Sequence, residues 1–251
     1  MPDTFEPRPD ETLDVLACGS IGVFQKKRGY RYSLDAYLLA AFVEEEPGTR
    51  VLEVGSGSGV VSMMLASLKG LLVTGVEIQE ELAEMSRRSV ARQGLEGSVE
   101  IVCADIRNYT GHKVDAVVAN PPFRPPQAGR VNPDRQKAIA RHEITLDLEA
   151  LLKKARDLLR HRGRLYVVYP SWRLADLISA MRAVRIEPKR LKCVHTTWNA
   201  ASEICLVCGT KGGGRGLEIE SPLMVYNDDG SYHDDMKRVL RDLRFEKKAL
   251  T

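Results

Sequence analysis

Between about residue 50 and residue 184, short apolar runs alternate with longer amphipathic ones, and this alternation constrains the fold more than any other feature of the chain. RVLEV (50–54), LLVTGVEI (71–78), VEIVCA (99–104), VDAVVA (114–119) and GRLYVVY (163–169) are brief and nearly continuous in apolar side chains. Strands covered on both faces read this way. Between them, GVVSMMLASLKG (59–70), QEELAEMSRRSVARQG (79–94) and LDLEALLKKARDLLRHRG (146–163) space their apolar residues by three and four and end on glycine, as helices do. Strands separated by helices cannot pair as hairpins, so the expected fold is an α/β, doubly wound, mostly parallel sheet with helices on both faces. Ligands of such sheets bind outside the carboxyl ends of the strands, at the switch point.

Beyond residue 185 the pattern changes. KRLKCVHTTW (189–198) and ASEICLVCGT (201–210) predict an antiparallel hairpin appended to the parallel sheet. A glycine-rich stretch, a short strand PLMVYN (222–227) and a helix to about residue 248 finish the chain, and LDAYLLAAFV (34–43) predicts a helix ahead of the first parallel strand. The expected organisation is an N-terminal segment, 1–49, packed over the ligand site, a ligand-binding core, 50–210, and a C-terminal extension of the same domain, 211–251. At 251 residues and 43% hydrophobic the chain can bury one full core.

The first chemical motif is VLEVGSGSG (51–59), a strand followed by a loop with Gly55, Gly57 and Gly59 and then a helix. Such a loop lets bare backbone approach a nucleotide-like ligand at a helix N-terminus. Val60 stands where a dinucleotide fingerprint requires its third glycine, which argues against NAD. Glu53 precedes the loop, where it would repel a pyrophosphate but could accept from an ammonium group. Glu77 ends the second strand, where a carboxylate accepts from ribose hydroxyls, and Asp105 follows the third, where it can accept from an adenine amine. An amine, a ribose and an adenine together describe S-adenosylmethionine.

The second motif leaves the strand VDAVVA through Asn120, Pro121, Pro122 and Phe123. Two prolines stiffen the turn and remove competing N–H donors, so its carbonyls and its aromatic ring can be aimed at a ligand.

The series EVGSGSG, VEI, CADI and NPPF resembles class I S-adenosylmethionine-dependent methyltransferases across roughly residues 30 to 210. YRYSLDAYLLAAF, RHEITLDLEALLKKARDLL and the tail PLMVYNDDGSYHDDM further resemble the bacterial tRNA1(Val) adenine N6-methyltransferase family. The resemblance implies a Rossmann-like sheet of seven strands, S-adenosyl-L-methionine as cofactor and an adenine N6 amine of tRNA as acceptor. It also implies that Asn120 joins Glu53, Gly55, Gly57, Gly59, Glu77 and Asp105 at the cofactor, and that Ser33 and Asp35 belong to its N-terminal segment. Phe123 stands where many adenine N6 enzymes carry tyrosine, and guanine N2 enzymes share the N-P-P-F sequence. Guanine N2 in rRNA, a protein glutamine amide and a non-catalytic cofactor-binding RNA chaperone are therefore alternatives at this stage.

An exocyclic amine is a poor nucleophile because its lone pair is delocalised into the ring. The Asn120 side-chain oxygen and the Pro121 carbonyl are the expected acceptors for its two N–H groups, stabilising the positive charge that grows during transfer. Phe123 supplies a face on which the base stacks.

The net charge of +3 identifies no polyanionic partner by itself, so RNA contacts must be local. Arg124, Arg130, Arg135, Lys137 and Arg141 crowd the stretch after N-P-P-F against a single acid, Asp134, and Lys26, Lys27 and Arg28 precede two tyrosines. Cys205 and Cys208 form one C-x2-C with no second pair, and the five histidines show no ligand spacing, so no metal is expected. Five scattered cysteines, a proline-rich acidic start and no run of 18 apolar residues predict a cytoplasmic setting without signal peptide or membrane span.

Overall fold

The computed structural model of the protein describes residues 6–16, 19–29, 31–121 and 148–245. Its core is a nine-stranded sheet. The strands are β3 (Arg50–Val54), β4 (Leu72–Glu77), β5 (Val99–Cys103), β6 (Val114–Ala119), β7 (Leu159–Pro170), β8 (Ile186–His195), β9 (Ser202–Lys211), β10 (Glu218–Ile219) and β11 (Leu223–Met224). They run in the order β10-β8-β9-β7-β6-β3-β4-β5, with β11 also paired to β8. The β4–β5, β3–β4, β3–β6 and β6–β7 pairings are parallel. The sheet is thus doubly wound about β3, and the seven long strands match the implied number, with two-residue β10 and β11 added at the β8 edge.

The C-terminal hairpin forms as predicted, but it is not simply appended. β9 inserts between β7 and β8 and is antiparallel to both. β8 therefore runs in the same direction as β3 through β7, and its carboxyl end faces the same edge of the sheet.

Helices cover both faces. α1 (Leu34–Phe42), α2 (Val60–Lys69), α3 (Glu80–Arg92) and α6 (Asp234–Asp242) lie on one side, and α4 (Leu148–Leu158) and α5 (Leu174–Ala183) on the other. Alternate residues of a strand serve opposite cores: Tyr166 and Val168 of β7 face the first group, Leu165 and Val167 the second. Each such fully buried aliphatic contributes about 1.5–3 kcal/mol, which is why these strands read as continuous apolar runs. The C-terminal extension belongs to the same body, since Met236, Val239 and Leu243 join the first core.

The N-terminal segment adds a feature the alternation does not announce. β1 (Glu11–Val15) and β2 (Gly22–Lys26) form a separate antiparallel pair that packs on α3. Phe24 meets Leu82 and Met85, the Arg88 guanidinium lies 4.7 Å over the Phe24 ring, and Arg88 pairs with buried Glu11.

Candidate active site

Parallel pairing determines what meets at the switch point. Glu53 is in register with Val118 and Val54 with Ala119, so β3 and β6 end side by side. The glycine loop leaves one strand at the level where Asn120 and Pro121 leave the other; both of these residues are half-buried. Pro122 and Phe123 lie outside the described residues, as do Arg124, Arg130, Arg135, Lys137 and Arg141.

The loop holds Gly55, Gly57 and Gly59 at φ of 70°, 56° and 79°, left-handed conformations that side chains rarely adopt. Gly55 N donates to Val76 O at 2.8 Å, which ties the loop to the end of β4. A Cβ built on Gly55 would meet nothing within 4 Å, so the backbone there borders open space. The buried hydroxyls of Ser56 and Ser58 have no partner among the described residues. The Ser56 hydroxyl packs over Gly75 of β4, so it is the open backbone at Gly55 that fits the approach of a polar ligand.

Glu77 closes the loop from the neighbouring strand. Its Oε2 accepts from Gly57 N at 2.8 Å and its Oε1 from Gln79 N at 2.9 Å. The Ile78 N–H and the Gln79 side chain also act on this carboxylate, so a ligand hydroxyl would share it with, or displace, the Gln79 side chain. Burial pushes the Glu77 carboxyl upward, and the backbone N–H groups oppose that shift. The next residue, Ile78, leaves an apolar side chain 40% exposed beside it, a surface suited to a flat ring.

Glu53 sits deeper than a simple ligand acceptor would. It is buried on the α2 side of the sheet, where the Ser62 hydroxyl donates to Oε2. Burial pushes its carboxyl up to about 8, with the nearby Glu77 acting in the same direction. Ser62 is a site residue that sequence reasoning missed, because a lone serine nine positions away on an amphipathic helix gives no signal. Asp105 is clasped by Arg107, whose Nε donates to Oδ1 at 3.0 Å and to Oδ2 at 2.9 Å. That guanidinium holds the Asp105 carboxyl below the usual range. Arg107 was also not foreseen.

Of the predicted phosphate contacts, Lys27 and Arg28 are exposed. Lys26 is not: its side chain is 6% exposed, with Nζ 2.7 Å from Asp10 and 2.6 Å from Glu81. This corrects the reading of Lys26 as an RNA contact, since its charge is neutralised between the N-terminal hairpin and α3. Ser33 accepts from Asp35 N at 3.3 Å and caps α1. Burial raises the Asp35 carboxyl, and Glu203 at the start of β9 adds to the rise. Cys205 lies in the strand interior, its thiol pushed up to about 12 by burial and donating to Tyr169 O at 3.3 Å. Among the described residues no three His, Cys, Asp or Glu side chains converge as a metal site, and no helix is long and apolar enough to cross a membrane.

The profile of the methyltransferase small domain matches residues 17–182. A tRNA1(Val) (adenine(37)-N6)-methyltransferase from Porphyromonas gingivalis is 32% identical over 194 residues, covering 73% of this chain and 75% of that protein. One of the same name from Bacteroides thetaiotaomicron is 34% identical over 152 residues, 59% of this chain and 63% of that one. Among solved structures, a protein described as a predicted O-methyltransferase from Agrobacterium tumefaciens superposes with a TM-score of 0.69 at 19% identity, covering 86% of this chain and 99% of that one.

Proposed function

The chain belongs to the methyltransferase small-domain family, and from that premise we propose that it transfers a methyl group from S-adenosylmethionine to the exocyclic N6 amine of an adenine in tRNA. The observation that carries the reading is the meeting of β3 and β6, which sets Asn120 and Pro121 against the glycine loop. The tRNA adenine N6 activity named for the Porphyromonas and Bacteroides relatives supports the choice of acceptor. A cytoplasmic setting goes with a tRNA substrate.

When bound, S-adenosylmethionine supplies an electrophilic methyl group on a sulfonium. Glu77 would accept from the ribose hydroxyls in exchange for its Gln79 side-chain contact, the open backbone at Gly55 would accommodate the amino-acid portion, and Glu53 would attract the ammonium through the loop. Asp105 accepts from the adenine amine once Arg107, which is exposed, yields part of its hold. The Asn120 oxygen and the Pro121 carbonyl hold the two N–H groups of the target amine, bias its nitrogen towards tetrahedral geometry and stabilise its growing positive charge. Pro122 stiffens that turn and Phe123 stacks on the base. The transfer is completed by loss of an N–H proton to water, so these residues act by alignment and need no strong base. Lys27, Arg28 and the cations between Arg124 and Arg141 hold the phosphates.

Labelled methyl transfer to tRNA from a strain lacking the protein, followed by nucleoside mass spectrometry, tests the proposal. N6-methyladenosine is the expected product; methylguanosine, or label in protein, would overturn the assignment. Asn120→Ala is expected to lower single-turnover methylation by about 10²–10³-fold with nearly unchanged binding of cofactor and tRNA. Near-normal turnover in that variant would remove Asn120 from the reaction.

A further inference from the structure

Trp172 and Trp198 are the two tryptophans of the chain, and they stand 71% and 75% exposed. A large ring left in water forgoes the burial that ordinarily holds it, so two such rings require a reason. The topology places them together. β6, β7 and β8 run in one direction, so their carboxyl ends at Ala119, Pro170 and His195 share the edge on which Asn120 lies. Trp172 follows β7 in the single turn Ser171–Arg173, and Trp198 follows β8 in the turn that leads into β9. Pro170 is in register with Ile204 and His195 with Ser202, and the Ser171 and Ser202 hydroxyls are 2.7 Å apart.

Both backbones are held although both rings are exposed. Ala200 N donates to Thr197 O at 3.1 Å across the Trp198 turn, and His195 Nδ1 lies 2.8 Å from Ala200 O. Leu174 N donates to Ser171 O across the Trp172 turn. The Arg173 guanidinium lies 5.7 Å from the centre of the Trp172 ring and 5.5 Å from that of Tyr169. The flanking residues, Thr196, Thr197 and Asn199 on one side and Ser171 and Arg173 on the other, are polar. This is not the continuous apolar patch that a protein partner buries. Exposed aromatic faces on a fixed backbone, with a cation beside them, match what unpaired nucleobases require.

We propose that Trp172 and Trp198 form a stacking platform for unpaired bases flanking the methylated adenine, with Arg173 beside it for a phosphate. The proposal rests on the tRNA reading above and adds how the loop is held open at the site. Because the chain has no other tryptophan, emission excited at the red edge of tryptophan absorption, where its eight tyrosines hardly absorb, reports on these two rings alone.

The test titrates the full-length protein with a tRNA anticodon stem-loop carrying an unmodified adenine, and with a blunt RNA duplex of similar length. Tryptophan emission and the anisotropy of end-labelled RNA are followed at several salt concentrations. Quenching by the stem-loop and not by the duplex is expected. Trp172→Ala and Trp198→Ala are each expected to weaken stem-loop binding about tenfold or more, and the phenylalanine replacements to retain most of the affinity. The salt dependence and the cofactor affinity should not change, because no phosphate contact is lost. RNA that binds and is methylated without altering emission, with normal affinity in both alanine variants, would overturn the platform and leave the tRNA reading intact. Absence of RNA binding by the parent protein would overturn both. Self-association that disappears in the double alanine variant, with RNA affinity unaltered, would assign the rings to a second copy of the chain and overturn the platform.

Discussion

At the scale of single residues the site is a set of carboxylates under unequal constraint, and Glu53 is the most constrained. Its carboxyl is pushed up to about 8 by burial, so it keeps its proton across neutral pH, whereas in the unfolded chain it ionises near 4.5. A folded-state value above the unfolded one stabilises the protein fully at low pH, and that contribution is lost as pH rises through about 8. The thermal midpoint of the cofactor-free protein is therefore expected to fall between about pH 5 and 8, with Glu77 and Asp35 adding in the same direction. Glu53→Gln keeps a neutral partner for Ser62 and should flatten much of this fall, as scanning calorimetry across pH would reveal. A ligand ammonium favours the ionised form, so binding of S-adenosylmethionine at neutral pH should expel up to about one proton from the wild type and fewer from the variant. Titration calorimetry in buffers of different ionisation heat measures that difference. Equal proton release in both would mean that Glu53 does not sense the ammonium. Both the strand-end position of Glu53 and its acidity were legible in the sequence; its depth was not, because burial here depends on Ser62 and the whole of α2.

Elements were legible where a local period or a turn residue dictates them. The parallel strands, the helices between them and the glycine loop need only a dozen neighbouring residues to declare themselves. The hairpin of β1 and β2 does not: its strands ETLDV and GVFQK mix polar and apolar residues, and partners remote in sequence hold it. Arg88 reaches Glu11 across 77 positions, and Lys26 joins Asp10 to Glu81. That is why Lys26 resembled a phosphate contact until its carboxylates were in view. The insertion of β9 between β7 and β8 was hidden for the same reason, since a hairpin pattern specifies which strands are neighbours and not what lies on their other side. The loop-to-helix junction is an element whose tolerance can be tested. Gly59 has a φ of 79°, and a Cβ there would overlap Ser86 Oγ while standing 3.3 Å from Ser86 Cβ. Gly59→Ala is expected to cost about 2–4 kcal/mol, from left-handed strain plus overpacking. Ser86 Oγ has no partner among the described residues, so Ser86→Ala should cost little alone. Combined with Gly59→Ala it should restore roughly the overpacking share, on the order of half. Urea denaturation of the three variants measures the coupling, and strictly additive losses would place the strain in the backbone alone.

The whole molecule carries only +3, too little to draw a polyanion by its overall field, so an RNA-binding face must be built by segregating charge. Under the proposed function, topology points to one edge of the sheet for that face. The carboxyl ends of β3, β6, β7 and β8 share one edge, and the chain leaves β6 there into the segment holding Arg124, Arg130, Arg135, Lys137 and Arg141 with one acid. Cations in such a segment work by releasing counterions from phosphates, a mechanism with a characteristic salt signature. Replacing Arg130, Arg135 and Lys137 together by glutamine is therefore expected to weaken tRNA binding at low salt. The slope of log affinity against log salt should become shallower by about 2–3, since each phosphate contact contributes about 0.7 on single strands and 0.9 on duplex. Cofactor affinity should stay unchanged, because the glycine loop and Glu77 belong to β3 and β4. The tryptophan rim predicts the opposite pattern, a loss of affinity at constant slope, so the two contributions separate in one titration series. A slope in the triple variant equal to that of the parent would show that these cations touch no phosphate, and the positive charge that holds the RNA would then have to be sought elsewhere on the same edge.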